Sequence, residues 1–250
     1  MSKKVKRKEK KIKGRHVLIV GSGSSLAIYW ESIKKFIDDN NVITVGINRI
    51  NHILTPDYHL WTDGNAFLKF GNEISSESIF IFGNHLDKYT RREHWRGKYK
   101  ILKYSVYDNK NKNINNIRYD ADGNKFYGHF RTAGSLAILW SYLNRASNIK
   151  VVGMDGYTFY SFEELSFNNK AQHCYGDGFT DAIANSYSRD VSNKKNKSKF
   201  YNYCLKKDND IYKTLKSIKN YGVNFEIITP TIYKDFYNKD ILNIEDTGVI

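Results

Sequence analysis

The chain has 250 residues, 40% of them hydrophobic, and a formal net charge of +14, which suits one ordinary globular domain with a buried core. It contains no apolar run near the roughly 18 residues of a membrane span, and its charged N-terminus has no signal-peptide core. Its two cysteines, Cys174 and Cys204, provide neither a disulfide framework nor a paired metal spacing. These features predict a cytoplasmic protein.

Strand-like and helix-like segments then alternate from residue 16 to residue 229. Periodicity predicts strands at 16–20, 42–47, 58–62, 78–82, 149–154 and 223–229. It predicts helices at 28–39, 134–146 and 210–222, the last of them ending at Gly222. The alternation favours an α/β fold, a Rossmann-like and mainly parallel sheet with helices on both faces. In such sheets ligands bind beyond the carboxyl ends of the strands.

The basic residues are concentrated in two runs. Residues 1–15 hold nine Lys or Arg against one Glu, which predicts a solvated basic arm over 1–14 ahead of a single domain at 15–250. A second run lies at 192–207. Such runs are typical of contacts with nucleic acid or an anionic membrane, and an AT-rich genome would also produce them. Because the aromatic and basic alternation of an RNA-binding strand is missing, no nucleic-acid partner is expected.

Small and polar residues follow the predicted strands at the edge where a ligand would bind. The first strand runs into a glycine turn, and a second set of small residues opens the helix after the middle of the chain. In chain order they are Gly21, Ser22, Gly23 and Ser24, then Asn48, then Asp63 and Asn65, then Arg131, Thr132, Ala133 and Gly134, and finally Gly153, Asp155 and Tyr157. The pattern predicts a nucleotide crevice.

The common nucleotide-binding signatures are incomplete in this chain. A dinucleotide or S-adenosylmethionine fold normally has an acid at the end of its second strand, where this chain has Gly46 to Asn48. The third glycine of the GxGxxG pattern is missing, and a P-loop run is absent from the sequence. A tight strand-to-helix turn without any ligand is a further alternative.

Four blocks of the chain resemble the bacterial sialyltransferases of glycosyltransferase family 42. They are "VLIVGSGSSL", "GINRI", "FRTAGSLAILWSYLNRASNIKVVGMDGYTFY" and "DIYKTLKSIKNYGVNFEIITPT", which fall in the family's order over most of residues 16–230. The resemblance implies a GT-A-like nucleotide-binding domain, an inverting reaction, a CMP-sugar donor of the sialic acid or Kdo type, and no metal or other cofactor. It implies that Ser22, Gly23 and Ser24 approach the donor phosphate and that Asn48 hydrogen-bonds the nucleotide. It implies that Thr132, Ala133 (where the family has Ser) and Gly134 lie against the donor. Gly153, Asp155 and Tyr157 would flank the cytidine and its ribose, and Asn65 or its rival Asp63 would follow the third strand.

The same resemblance implies a lid segment at about 162–207 that carries the general base. His173 is the histidine of that interval, and His129 is the second choice. Tyr157, Tyr175 and the neighbouring Tyr160 would assist the departing phosphate with Arg131. The family's His lies only a few residues before its last helix, whereas an extra stretch follows His173 here. The acceptor would be a bacterial surface glycan, lipid-linked if the basic arm holds the enzyme at the anionic inner membrane.

Three other interpretations stay open. The segment "TPDYHLWTDGN" also resembles the motility-accessory-factor and hydroxymethylpterin pyrophosphokinase-like proteins, in which Asp63 and Asp155 would hold Mg²⁺. A metal site from His173, Cys174, Asp177 and Asp181 has mixed ligands whose spacing matches no zinc pattern. A non-enzymatic basic adaptor would need none of the polar strand ends.

Overall fold

The computed structural model describes residues 11–89, 100–107, 118–119, 125–128, 130–159 and 194–244. Its strands are β1 (His16–Val20), β2 (Ile43–Ile47), β3 (Tyr58–Trp61), β4 (Ile79–Gly83), β5 (Lys100–Tyr107), β6 (Arg118–Tyr119), β7 (Lys125–Tyr127), β8 (Asn148–Val152) and β9 (Phe225–Ile227). Its α-helices are α1 (Ser25–Ile28), α2 (Trp30–Asn40), α3 (Gly64–Phe70), α4 (Ala133–Leu143) and α5 (Lys194–Asn220). Short 3₁₀ helices cover Gly71–Glu73, Asn84–Tyr89, Lys234–Phe236 and Lys239–Ile241.

The strands form one sheet in the order β6-β7-β5-β4-β3-β2-β1-β8-β9. Neighbouring strands pair in parallel except for β6 and β7 at one edge. This confirms the predicted Rossmann-like α/β fold. From β1 the chain first builds the sheet in one direction through β2 and β3, and later returns to add β8 on the other side. The boundary between β1 and β8 is therefore the topological switch point, where ligands bind in such sheets.

The apolar runs become strands because both faces of the sheet are covered. Val17 and Ile19 on β1 belong to the core that includes α4 and the inner face of α5. Leu18 and Val20 point to the opposite face and pack with Leu26 and Ile33 of α1 and α2. A strand buried on both sides needs apolar residues at every position, which explains the unbroken run "VLIV".

Two predicted boundaries shift in the structure. The domain begins ahead of residue 15, because Ile12 is 4% exposed within the main core and the Gly14 N–H donates to Arg145 O at 2.8 Å. Residues 1–10 of the predicted arm lie outside the described residues. Helix α5 begins at Lys194, so the last part of the predicted lid segment is helical, and residues 160–193 lie outside the described residues.

The strands β5, β6 and β7 complete one side of the sheet and were not predicted from the sequence. Strand β5 pairs in parallel with β4 on one side and β7 on the other. Tyr104 on β5 is 2% exposed, and its hydroxyl donates to Trp61 O at 2.8 Å. Across the described ranges, no helix is long and apolar enough to cross a bilayer.

Candidate functional site

An open cleft of about 240 Å³ lies at the switch point. The turns after β1, β2, β3 and β8 form its floor, and the start of α4 and one face of α5 form a wall. The sequence-predicted residues that line it are Gly21, Ser22, Gly23, Asn48, Asp63, Arg131, Thr132, Ala133, Gly134, Gly153, Asp155 and Tyr157. The structure thus brings twelve of the sixteen predicted site residues to one cleft, because the carboxyl ends of parallel strands meet at one edge of the sheet.

The glycines of the first turn are required by its contact with the β8 turn. A Cβ on Gly21 would lie 2.5 Å from Gly153 O, and one on Gly153, whose φ is +66°, would lie 2.4 Å from Gly21 O. The Gly23 N–H donates to Gly153 O at 2.8 Å. The two turns therefore pack backbone against backbone, which only residues without a Cβ allow.

A buried carboxylate closes the glycine turn. Asp155 is 4% exposed and accepts hydrogen bonds from Ser25 N at 2.8 Å, from the Ser25 hydroxyl, and from the Ser24 hydroxyl at 3.3 Å. Burial raises the pKa of Asp155 to about 6, although the serine hydrogen bonds oppose the rise. The carboxyl group is therefore mostly ionised at neutral pH.

This carboxylate decides where an anionic ligand can be held. In a dinucleotide-binding turn, the backbone N–H groups at the start of the helix face a pyrophosphate. Here Gly23 N–H donates to Gly153 O and Ser25 N–H to Asp155. A phosphate placed at Ser25 would also meet a like charge. The α1 side of the cleft therefore disfavours a di- or triphosphate.

Two cations stand on the α4 and α5 side of the same cleft. Arg131 precedes α4, and its Nε lies 3.4 Å from Asp210 Oδ2. Lys207 of α5 is 8% exposed, and its Nζ lies 3.9 Å from the centroid of the Tyr157 ring. A lysine held in a buried cation–π contact is poorly hydrated, so it gains more than a surface lysine from an anion that enters the cleft.

Asp208 ties α5 to the turn after β8. Its Oδ1 accepts from Tyr157 N at 2.8 Å and from the Tyr233 hydroxyl at 2.9 Å. Its Oδ2 accepts from Thr158 N and the Thr158 hydroxyl, each at 2.8 Å. Burial raises the pKa of Asp208, and burial followed by the charge of Asp208 raises the pKa of Tyr233. Tyr233 is therefore a neutral phenol that lines the cleft.

Asn48 reaches the cleft from the end of β2 with a positive φ of 51°. Its Oδ1 accepts from Thr62 N at 3.2 Å, and its backbone oxygen accepts from His59 Nε2 at 2.5 Å. Burial lowers the pKa of His59 to about 4, so the ring is neutral and Nε2 carries the proton it donates. Since the Asn48 Oδ1 already accepts a hydrogen bond within the protein, the group that Asn48 can offer to a ligand is its Nδ2 amino group, which donates.

The helix that follows Arg131 begins at a side-chain cap. Thr132 Oγ1 accepts from Gly134 N at 3.2 Å, so the hydroxyl of the predicted donor contact also stabilises the first turn of α4. Met154 lies against Gly134, where a Cβ would be 3.3 Å from its sulfur. Because Ala133 and Gly134 are small, the start of α4 leaves space for a ligand in the cleft.

Of the remaining predicted residues, two make hydrogen bonds within the protein and the side chains of the others are not described. The Ser24 hydroxyl donates to Asp155, and Asp63 Oδ1 accepts from Ala66 N at 3.0 Å at the start of α3. Asn65 lies in α3, and its side chain is not described. His173 and Tyr175 lie outside the described residues. So do five other residues named in the sequence analysis: His129, Tyr160, Cys174, Asp177 and Asp181. No group of three or more metal-ligating side chains occurs within the described part of the chain.

The sequence pattern did not predict the contribution of α5 to the cleft. Lys207 and Ile211 of α5, and Tyr233 beyond the helix, line the cleft together with the predicted residues. The signal was present, because Cys204, Lys207 and Asp208 continue at helical spacing the buried face that includes Ile211, Leu215 and Ile218. A lysine and an aspartate on a buried helix face indicate a site or a network.

The chain was also compared with known proteins. No protein-family model and no curated protein matches it at a significant level.

Proposed function

We propose that this chain is a glycosyltransferase that transfers a sugar of the sialic acid or Kdo type from a CMP-sugar to a glycan. The proposal rests on how charged side chains are distributed in the switch-point cleft, with an acid on one side and two cations on the other. The Asp155 carboxylate closes the α1 side, where dinucleotides place a pyrophosphate, while Arg131 and Lys207 stand on the α4 and α5 side. Such a cleft favours one phosphate group, held by cations, and CMP-sugars have a single phosphate.

The residues around the cations suit the rest of such a donor. The Asn48 amino group offers hydrogen bonds to a base or a ribose, and Tyr157 offers aromatic surface and a phenol group. The Tyr233 ring also lines the cleft, and its hydroxyl donates to Asp208. The sequence blocks that resemble family 42 contribute most of these residues. The second strand ends in Asn48 rather than in the acid that binds an NAD ribose, which agrees with the same choice of nucleotide.

The reaction would be an inverting displacement. A general base removes the proton from an acceptor hydroxyl, whose oxygen attacks the anomeric carbon as the bond from that carbon to the phosphate oxygen breaks. CMP leaves with the bonding electrons, and Arg131 and Lys207 neutralise its phosphate. His173 is the proposed base, and Tyr157 and Tyr175 would donate to the leaving group. The chemistry requires no metal ion.

A magnesium-dependent pyrophosphoryl transfer is less well supported. It would need Asp63 and Asp155 as ligands, yet Asp155 already accepts hydrogen bonds at both carboxylate oxygens. Asp63 Oδ1 accepts from Ala66 N in the first turn of α3. Metal binding would therefore break the contacts that close the glycine turn.

CMP binding tests the proposal directly. CMP should raise the melting temperature of the chain in the presence of EDTA, because a ligand of the folded state stabilises it. Lys207→Met should lower the affinity for CMP about tenfold or more but leave the affinity for cytidine nearly unchanged, since only the phosphate loses a charged partner. Lys213→Met is the matched control, because Lys213 lies exposed on the same helix.

Three results would contradict the proposal or its mechanism. The first is the absence of any stabilisation by CMP, above all if ATP with magnesium stabilises the chain instead. The second is an equal loss of CMP and cytidine affinity in Lys207→Met, which would place the lysine away from the phosphate. Turnover that disappears in EDTA would also exclude the metal-independent mechanism.

The proposed acceptor is a bacterial surface glycan that is linked to a membrane lipid. The basic residues of 1–10 would hold the enzyme at an anionic leaflet, with each basic residue near the surface contributing about 1 kcal/mol at most. Sedimentation with vesicles that contain phosphatidylglycerol measures this contribution. Binding should weaken steeply as salt is added.

A further inference from the structure

A second cleft, of about 350 Å³, lies beside the first along the same edge of the sheet. The two share a wall that is formed by Thr62 and by Arg131, Thr132 and Ala133 at the start of α4. The second cleft extends from this wall toward the ends of β4 and β5. A molecule in the second cleft would therefore lie next to the molecule in the first, with the Arg131 side chain at their junction.

The lining of the second cleft combines apolar and polar residues. Val106, Phe130 and Leu136 supply the apolar part, and His85, Thr62 and Arg131 supply the polar part. A pyranose ring has C–H groups on its faces and hydroxyls around its rim, so it matches such a lining. Ligand sites in general combine an apolar surface with a few fixed polar groups.

His85 is held in place by three neighbours. Its Nε2 donates to Thr62 O at 2.9 Å, and its ring stands at 67° to the ring of Tyr104, with centroids 6.3 Å apart. The ring also covers Gly83, where a Cβ would lie 2.4 Å from His85 Cε1. A glycine at the end of β4 thus makes room for the imidazole. Among the histidines that the structure describes, His85 is the one that lines either cleft.

We propose that the second cleft is the acceptor subsite and that it binds a pyranoside with the help of His85. The proposal rests on the glycosyltransferase function proposed above, since an acceptor site has meaning only beside a donor site. With Nε2 donating to Thr62, Nδ1 is the ring nitrogen that remains for a hydrogen bond with a sugar hydroxyl. The hydroxyl that reacts would face the shared wall, and the rest of the acceptor would extend toward β5.

Saturation-transfer NMR with methyl glycosides of galactose, glucose and N-acetylglucosamine tests the subsite in the presence of CMP. The wild-type chain should bind at least one of these probes. Val106→Trp should abolish that binding by filling the cleft, and His85→Ala should weaken it about five- to tenfold through the loss of one hydrogen bond and a contact surface. The controls are Ile101→Trp, at an exposed position of the same strand, and His52→Ala, at an exposed loop position.

The outcomes separate this proposal from the proposed function. Loss of glycoside binding in Val106→Trp and His85→Ala, with CMP binding retained and both controls unaffected, supports the subsite. If no glycoside binds the wild-type chain, or if both cleft variants bind like the wild type, the subsite proposal is wrong even when CMP binds. If glycosides bind in this cleft and CMP does not stabilise the chain, the donor assignment is wrong instead. If Val106→Trp does not fold, His85→Ala decides the result.

Discussion

Replacing Asp155 with asparagine should change how the stability of the chain depends on pH. The pKa of Asp155 is raised by burial from 3.8 in the unfolded chain to about 6 in the folded chain. A group with a raised pKa stabilises the folded state below its unfolded pKa, and this stabilisation is lost as the pH rises through the folded pKa. Each pKa unit corresponds to 1.36 kcal/mol, so ionised Asp155 costs about 3 kcal/mol at pH 7.

The variant can satisfy the same neighbours without this charge. The Ser25 hydroxyl lies 3.1 Å from Thr229 Oγ1, so it can donate to that threonine while it accepts from an asparagine amide. The remaining amide oxygen can still accept from Ser25 N. We therefore expect Asp155→Asn to fold and to gain about 3 kcal/mol relative to the wild type between about pH 4 and pH 7.

The comparison between variant and wild type is essential, because His59 has the opposite effect in an overlapping pH range. Burial lowers the pKa of His59 from 6.5 to about 4, so its contribution to stability is lost as the pH falls through that window. The contributions of Asp155 and His59 therefore largely cancel in the dependence of the wild-type free energy of unfolding on pH. Urea unfolding at several pH values, monitored by tryptophan fluorescence, gives the difference in free energy of unfolding between Asp155→Asn and the wild type. A difference that stays constant within about 1 kcal/mol would refute the reasoning.

Three further predictions concern the turn, the base and the arm. Gly23→Ala should lower the free energy of unfolding by about 1–3 kcal/mol, since its Cβ would lie 2.7 Å from the Asp155 carboxyl group, and unchanged urea unfolding would contradict this contact. His173→Ala should lower turnover about a hundredfold while CMP affinity stays nearly intact, and turnover within a few-fold of the wild type would move the assignment to His129. Deletion of residues 1–10 should weaken binding to anionic vesicles but not turnover of a soluble acceptor; vesicle binding that survives the deletion would disprove the anchor.

The local pattern of the chain was sufficient to predict six of the nine strands of the sheet and the edge where their carboxyl ends meet. Runs such as "VLIV" are apolar at every position, which strands buried on both faces require, and the glycines at 21 and 23 mark where the first strand must turn. Since parallel strands place all their carboxyl ends at one edge, the polar residues after those strands could be expected to meet. That rule predicted that Asn48, Asp63 and Asp155 meet, and all three line the cleft.

The tertiary structure decided what those residues do there. The sequence indicates a phosphate-binding turn, but Asp155 closes it from 130 residues away. Lys207 and Asp208 enter the site on a helix whose position depends on the packing of its apolar face, and Asp208 accepts from a backbone N–H that is 51 residues distant. Local periodicity indicates which face of a helix is buried but not what the face is buried against. Hydrogen bonds between distant segments leave no local pattern, so the charge division of the cleft follows only from the folded chain.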